Sequence, residues 1–158
     1  MLTGFTEKSE KFSDRSQENI KWLELEEAQK RAQETGKPVF VFVEAEWCVY
    51  CRQMHREVFP ESEVIRMMDE EYLPVSIDLD SRETVIFNGE EMTEREFARS
   101  MEVTTTPTIL FLNSGGEEMG RQLGYNPADR FLAVLEFVTS DQFGEVSFEQ
   151  YLKIQGNN

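Results

Sequence analysis

The Cys-x-x-Cys motif formed by Cys48 and Cys51 constrains this chain more than any other feature, because these are its only cysteines. The motif follows residues 38–43 (PVFVFV), an apolar run typical of a buried parallel strand. At the beginning of a helix, side chains at positions i and i+3 lie about one turn apart, so the two sulfurs can form a disulfide. The helix N-terminus also stabilises a thiolate on the first cysteine. A strand that leads such a pair into a helix predicts a redox-active dithiol.

Two other roles for the cysteines are less well supported by the sequence. A disulfide across so short a loop would constrain the unfolded chain very little, which argues against a purely structural crosslink. A structural zinc site needs four nitrogen or sulfur ligands, and only His55 could join the pair. The sequence therefore predicts no resident metal and no cofactor, with inert thiols and half of a metal site as the alternatives.

Several segments resemble known proteins. The motif region at residues 45–51 (AEWCVYC) and the later segment 105–108 (TTPT) resemble the thioredoxin superfamily. A more specific resemblance, to the SoxW-type thioredoxin-related proteins, is carried by residues 54–59 (MHREVF), 91–96 (EMTERE) and 124–127 (GYNP). That branch is bacterial and mostly extracytoplasmic. The resemblance runs from about Trp22 to the end of the chain, and it implies a thioredoxin-like α/β fold with a central mixed β-sheet flanked by helices.

The hydrophobic pattern predicts one α/β domain over residues 16–158, after a flexible polar arm at residues 1–15. The spacing of Ile20, Leu23, Ala28 and Ala32 predicts a helix over residues 16–35. The predicted elements that follow are strand 38–45, helix 48–58, a helix capped by Ser62, strand 72–79, strand 108–112, strand 119–123, a helix beginning at Pro127 and a last one capped by Ser147.

The segment 80–93 departs from a minimal thioredoxin pattern. Asn88-Gly89 lies between β-type residues there, and this dipeptide predicts a tight turn between two antiparallel strands. We therefore expect an inserted hairpin before the strand that follows Pro107. A Thr-x-x-Glu capping box from Thr93 to Glu96 predicts a short helix directly after the hairpin.

The charge of the chain excludes some classes of partner. The 16 basic and 31 acidic residues give a formal net charge of −15, which argues against binding to nucleic acids or anionic membranes. The sequence has no apolar run of transmembrane length, and its first 15 residues lack the apolar region of a signal peptide. These residues fit either a cytoplasmic protein or a mature form without its leader. The resemblance favours a periplasmic or otherwise extracytoplasmic location.

The motif and its resemblance assign expected roles to individual residues. Cys48, at the helix N-terminus, is expected to be the more exposed, attacking thiol, and Cys51 the resolving thiol that releases the reduced substrate. Trp47 is expected to cover the pair, with ordinary core packing as the alternative, and Tyr50 could contact a partner. The resemblance implies that Pro107 is a cis-proline facing the dithiol and that the backbone of Thr106 pairs with an extended substrate segment.

The sequence lacks one residue of the family pattern. Thioredoxins carry a buried acid six residues before the first cysteine, where it accepts the proton of the resolving thiol, and this chain has Phe42 there. Glu44 lies on the same face of the predicted strand as Phe42, and His55 lies one helical turn beyond Cys51. Either residue could replace the missing acid. An ordinary surface histidine and a rim carboxylate are the alternatives.

These features predict a thiol–disulfide oxidoreductase that acts mainly as a protein-disulfide reductase. Val49 and Tyr50 between the cysteines are neutral and Glu46 is acidic, so nothing adds to the stability of the thiolate, and a potential near the reducing end of the family is expected. The resemblance implies protein thiol partners and an upstream reductant, such as a membrane thiol reductase. A monomer is expected.

Three alternatives to a reductase remain at this stage. The same dithiol working in reverse would make the protein a disulfide oxidase or isomerase. A copper(I) chaperone could use Cys48, Cys51, Met54 and His55, because soft sulfur and imidazole ligands suit that ion. A binding module could keep the fold for partner docking, with residues 80–93 as its distinguishing surface.

Overall fold

The computed structural model of the chain describes residues 19–156. Twelve helices and strands follow one another in these residues. They are α1 (Leu25–Thr35), β1 (Val39–Glu44), α2 (Val49–Glu57), α3 (Ser62–Glu71), β2 (Leu73–Asp78), β3 (Thr84–Phe87), β4 (Glu90–Thr93), α4 (Glu94–Ser100), β5 (Thr108–Leu112), β6 (Glu118–Leu123), α5 (Ala128–Val138) and α6 (Phe148–Ile154). The order confirms an α/β fold, and the predicted arm at residues 1–15 lies outside the described residues.

The main sheet contains four strands in the order β2-β1-β5-β6. β1 pairs with β2 in parallel, while β5 is antiparallel to β1 and to β6. The central strands are apolar on both sides, as expected for strands covered on both faces. The sheet is therefore mixed, as predicted, and β1 points its C-terminal end at the Cys-x-x-Cys motif.

Alternation along β1 divides the core into two clusters. Phe40 and Phe42 face a cluster that includes both cysteines and buried residues of α2, α3 and α5. Val39, Val41 and Val43 face a second cluster with α1, β2, α4 and the hairpin. Because side chains of a strand alternate between the two faces of a sheet, the sheet separates the dithiol helix from the hairpin.

The inserted hairpin is confirmed as a separate two-stranded sheet of β3 and β4. Its turn is formed by Asn88 and Gly89, with φ angles of 53° and 82°. Two consecutive positive φ angles match the right-handed twist of the flanking strands, and Asn-Gly adopts them at low cost. The hairpin packs on the domain through Phe87, whose ring centroid lies 4.9 Å from that of Phe97 in α4.

Some helix boundaries differ from the sequence prediction. The first described helix begins at Leu25 rather than at residue 16, because the backbone at Glu24 is extended and the Leu23 amide donates a hydrogen bond to the Pro74 carbonyl. The predicted helix is therefore wrong for residues 19–24, and residues 16–18 lie outside the described residues. Ser62 is the first residue of α3 and not its cap, which is Glu61.

Two other helix-start predictions are confirmed. Thr93 and Glu96 form a reciprocal capping box at α4, and Ser147 and Gln150 form another at α6. Each box satisfies two backbone N–H groups that the helix itself cannot satisfy. The helix predicted to begin at Pro127 instead begins at Ala128, and Pro127 is its N-cap with an extended backbone. In the described part of the chain, no helix combines the length and the apolar character needed to cross a membrane.

Candidate redox site

Cys48 and Cys51 form a disulfide at the N-terminus of α2. Cys48 is the N-cap residue with an extended backbone (φ −87°, ψ 107°), and its Sγ accepts a hydrogen bond of 3.1 Å from the Cys51 amide. The Cα atoms of the pair are 5.2 Å apart. The Cys48 sulfur is thus the capping group of the helix. The helix N-terminus and the Cys51 amide both stabilise negative charge on this atom, which would carry the charge of the thiolate.

Burial of the two cysteines differs less than the sequence suggested. Cys48 is 4% exposed and Cys51 1%, so both are buried in the disulfide form. The expected exposure of Cys48 is therefore not seen in this form. The loop before the motif is fixed by Arg52, whose Nη1 donates a hydrogen bond of 2.6 Å to the carbonyl of Glu46. Sequence reasoning did not single out Arg52, and its position one residue after Cys51 was the only available signal.

Trp47 is held at the surface rather than packed in the core. Its side chain is 62% exposed, and its Nε1 donates a hydrogen bond of 2.8 Å to Oδ2 of Asp80. Asp80 is positioned in turn by its own amide, which donates to Oδ1 of Asp78 at 2.8 Å. The core-packing alternative for Trp47 is excluded by this exposure. Asp80 was missed as a site residue because 33 positions separate it from Trp47.

Trp47 belongs to a group of exposed apolar side chains around the motif. Val49 and Tyr50, inside the motif, are 62% and 58% exposed. The Tyr50 ring lies 6.4 Å from that of Tyr125, whose hydroxyl donates a hydrogen bond of 3.0 Å to Oε1 of Glu57. Hydrogen bonds from Gln53 and then from Tyr125 lower the pKa of the Glu57 carboxyl, so it stays charged at the C-terminal end of α2.

The Thr106–Pro107 peptide bond is cis, as the resemblance implied. The Pro107 carbonyl accepts a hydrogen bond of 2.8 Å from the Gly124 amide, which ties the proline to the end of β6 beside the exposed Leu123. The Thr106 hydroxyl oxygen is buried and has no hydrogen-bond partner among the described residues.

Phe42, Glu44 and His55 lie together on one side of α2. The Phe42 side chain is fully buried, and its ring centroid lies 5.5 Å from His55. His55 Nε2 and Glu44 Oε1 are 2.8 Å apart, and the Ser76 hydroxyl donates a hydrogen bond of 2.6 Å to the other Glu44 oxygen. The two candidate proton acceptors therefore form one hydrogen-bonded pair, and Ser76 is its third member. The sequence had offered Glu44 and His55 only as separate alternatives.

The structure adds no metal site. Within residues 19–156, no group of three or more His, Cys, Asp or Glu side chains is arranged to hold a metal ion. Met54, a member of the copper set considered from the sequence, is fully buried, and His55 is bound by Glu44.

Comparisons with known proteins place these features in context. The sequence model of one family, described as a thioredoxin-like domain, matches residues 25–139. A "thiol:disulfide interchange protein DsbD" of Yersinia pestis is 32% identical over 107 residues, which are 66% of this chain and 16% of that protein. The chain thus spans less than a fifth of the length of this curated relative.

Solved structures with the same fold include thioredoxins. The solution structure of a thioredoxin from Thermus thermophilus is 32% identical, with a TM-score of 0.64, and the match covers 80% of this chain and 91% of that one. The oxidised C-terminal domain of Neisseria meningitidis DsbD is 20% identical, with a TM-score of 0.54, over 70% of this chain and 88% of that one. The second likeness is one of fold alone.

Proposed function

Because the chain belongs to the thioredoxin-like family and carries a Cys-x-x-Cys disulfide at a helix start, we propose that it is a thiol–disulfide oxidoreductase working mainly as a protein-disulfide reductase. The observation that carries the proposal is the hydrogen bond from the Cys51 amide to Cys48 Sγ. In the reduced protein the same donor would stabilise a Cys48 thiolate, which is the attacking species in thiol–disulfide exchange.

The reaction follows from the positions of the two sulfurs. The Cys48 thiolate attacks one sulfur of a substrate disulfide, forming a mixed disulfide and releasing the other substrate sulfur as a thiolate. Cys51, one helical turn away, then attacks Cys48 Sγ and releases the second substrate thiolate. Two electrons pass to the substrate, and the protein returns to the Cys48–Cys51 disulfide. An upstream dithiol must reduce that disulfide before the next cycle.

We assign proton handling at Cys51 to the pair of Glu44 and His55. His55 lies one turn beyond Cys51 on α2, and Glu44 orients its ring through the 2.8 Å hydrogen bond. His55 would accept the proton of the Cys51 thiol. The His55 side chain is 41% exposed, so the proton can pass to water. Phe42 fills the place where the family keeps its buried acid.

The substrate surface is formed by the exposed group at the motif together with the cis-proline. Trp47, Val49 and Tyr50 offer apolar contacts beside Cys48, and the backbone at Thr106 is available to pair with an extended segment. Asp80 keeps the Trp47 indole in one orientation. We expect this surface to bind a protein segment with apolar side chains next to its disulfide.

The proposal extends to partners and location. The name of the Yersinia pestis relative describes thiol–disulfide interchange, which is consistent with protein thiol partners on both sides of the reaction. We propose an extracytoplasmic location, an upstream membrane thiol reductase and a place in the SoxW-type branch. The branch assignment rests on the resemblance carried by residues 54–59, 91–96 and 124–127.

The decisive experiment is the equilibrium reduction potential of the Cys48–Cys51 pair. The protein is equilibrated with a dithiothreitol or glutathione series and followed by Trp47 fluorescence, in a Trp22→Phe background that removes the second tryptophan. A potential near that of thioredoxin, about −270 mV, is expected for a reductase. A potential nearer to that of DsbA, about −120 mV, would assign an oxidase or isomerase. Failure to form the disulfide would refute the redox function.

A trapping experiment tests the assignment of the two thiols. Cys51→Ser should accumulate a mixed disulfide with a protein substrate, because no resolving thiol is left to release it. Cys48→Ser is the matched control and should accumulate none, since Cys51 lies inside the first turn of α2 while position 48 is the helix cap that a substrate meets first. Equal trapping by both variants would contradict the assigned roles.

A further inference from the structure

A groove of about 640 Å³ lies at the end of the main sheet opposite to the dithiol. Lys37, Leu73 and Pro74 line it, and these residues stand at the N-terminal ends of β1 and β2. The cysteines follow the C-terminal end of β1. The groove is therefore separated from the redox site by the length of a strand, and it goes beyond the function proposed above.

Half of the exposed surface of the groove, its floor included, is apolar. Its volume falls within the range of about 300–1,000 Å³ that is common for small-molecule sites in proteins. The apolar lining residues are Leu23, Ile65, Met68, Tyr72, Leu73 and Pro74. The Tyr72 hydroxyl donates a hydrogen bond to the Leu135 carbonyl, so it is satisfied within the protein and contributes no free polar group to the floor.

The charge of the lining is opposite to that of the chain. Asp69 is the single carboxylate among the described residues that line the groove, in a chain whose acidic residues outnumber its basic ones by 31 to 16. The lining cations are Lys21, Arg31, Lys37 and Arg66. Glutamates of their own helices bind the two arginines at 2.8 Å, which leaves the two lysines.

Lys21 and Lys37 are available to a ligand. Neither has a carboxylate within ion-pair distance in residues 19–156, and Lys37 is half-buried at the beginning of β1. Lys21 is exposed, so the stronger attraction is expected at Lys37, because a charge beside a partly buried residue is screened less than one in open water. Apolar surface next to two lysines with no ion pair in residues 19–156 suits a molecule with an apolar body and a negative head.

We propose that this groove binds a small amphipathic anion. The two lysines hold its carboxylate or similar head group, and the apolar body lies on Leu23 and Ile65, the apolar lining residues that are partly exposed. A groove of this volume fits a single small molecule better than the flat contact of a protein surface. The chain as a whole has a net charge of −15, which repels acidic molecules. At this groove the charged side chains nearest to an acidic ligand do not add up to a net repulsion.

The test is a titration of the full chain with decanoate, followed by backbone amide shifts in NMR. Acetate supplies the head group alone, and decyltrimethylammonium supplies the same apolar chain with a positive head. A Lys21→Gln/Lys37→Gln double variant removes the proposed head-group site. Lys30→Gln/Lys153→Gln is the matched control, because it removes the same charge from exposed lysines outside the groove.

Decanoate should bind saturably with a Kd of about 1 mM or tighter, and the shifts should map to the groove. The groove variant should bind about tenfold more weakly, the control variant should bind like the wild type, and added salt should weaken binding. Equal binding of decyltrimethylammonium, equal affinity in both double variants, or no binding of decanoate would overturn the proposal. Binding of an acid-rich peptide in place of decanoate would instead assign the groove to a protein partner.

Discussion

Gly116→Ala tests the junction that fixes the inserted hairpin to the domain. Gly116 lies in the turn between β5 and β6 with φ 82°, a backbone conformation that alanine adopts at a cost. A Cβ atom there would collide with Oδ1 of Asn88 and come within 2.8 Å of Nε2 of Gln29. These are the atoms of a reciprocal contact, since Gln29 Nε2 donates to Asn88 Oδ1 and the Asn88 amide donates to Gln29 Oε1, both at 2.8 Å.

The expected cost has two parts. A left-handed alanine costs about 1 kcal/mol or slightly more. Displacing the two exposed hydrogen bonds between Gln29 and Asn88 adds about 1 kcal/mol, because each bond contributes toward the low end of the usual range. We therefore expect the free energy of unfolding to fall by about 2–3 kcal/mol. Gly115→Ala is the matched control: a Cβ there would meet only Asn113 Oδ1, at an ordinary 3.5 Å.

Urea denaturation followed by circular dichroism measures both variants. In a Gln29→Ala background, the cost of Gly116→Ala should fall, because one of the colliding side chains is gone. The junction lies on the other face of the sheet from the cysteines, so the reduction potential should be unchanged in the folded variant. Equal stabilities of Gly116→Ala and Gly115→Ala, or an unchanged cost in the Gln29→Ala background, would refute this account of the junction.

Three further changes test separate parts of the structure. Asp80→Ala removes the hydrogen-bond acceptor of the Trp47 indole. Reduction of a protein disulfide should slow about fivefold in a turnover assay, which corresponds to the free energy of about one hydrogen bond. An unchanged rate would contradict the positioning role of Asp80. Burial raises the pKa of Glu94 above its ordinary 4.5. The wild type should therefore lose stability relative to Glu94→Gln as the pH rises through the pKa of the folded state, as measured by urea denaturation. A gain in relative stability over the same pH range would contradict this prediction. Tyr72→Phe removes the shorter of two hydrogen bonds to the Leu135 carbonyl, which keeps the 3.3 Å bond from the Thr139 hydroxyl, and should cost about 1 kcal/mol in the same assay. No loss would show that the bond from Tyr72 contributes nothing.

Local patterns predicted most of the fold. The apolar run of β1, the Asn88-Gly89 turn and the capping box at Thr93 each depend on neighbouring residues, and each is confirmed. The helix predicted over residues 19–24 is wrong for a physical reason. Ile20 and Leu23 have helical spacing, but the Leu23 amide bonds to the Pro74 carbonyl, a contact across 51 positions that no local pattern contains.

The residues of the candidate redox site likewise fall into those that a local pattern predicts and those that only long-range contacts reveal. The motif itself gave Cys48, Cys51 and the residues between them, while the contacts that position its neighbours join distant parts of the chain. Glu44 and His55 are 11 positions apart, and Asp80 is 33 positions from Trp47. Strand parity and helical spacing put Glu44 and His55 near the site, but only the packing of β1 against α2 shows that they bind each other.

The division of the core by the sheet limits how the inserted hairpin can affect the redox site. β3 and β4 pack with α1 and α4 on the face opposite to the dithiol helix, so the hairpin strands do not line the substrate surface. The contact with the motif is made by Asp80, at the beginning of the segment, through the Trp47 indole. Asp80 is itself fixed by Asp78, whose amide donates to Glu94 at the start of α4, directly after the hairpin. Any selectivity contributed by this segment should therefore act through the orientation of Trp47, while the hairpin strands stabilise the second face.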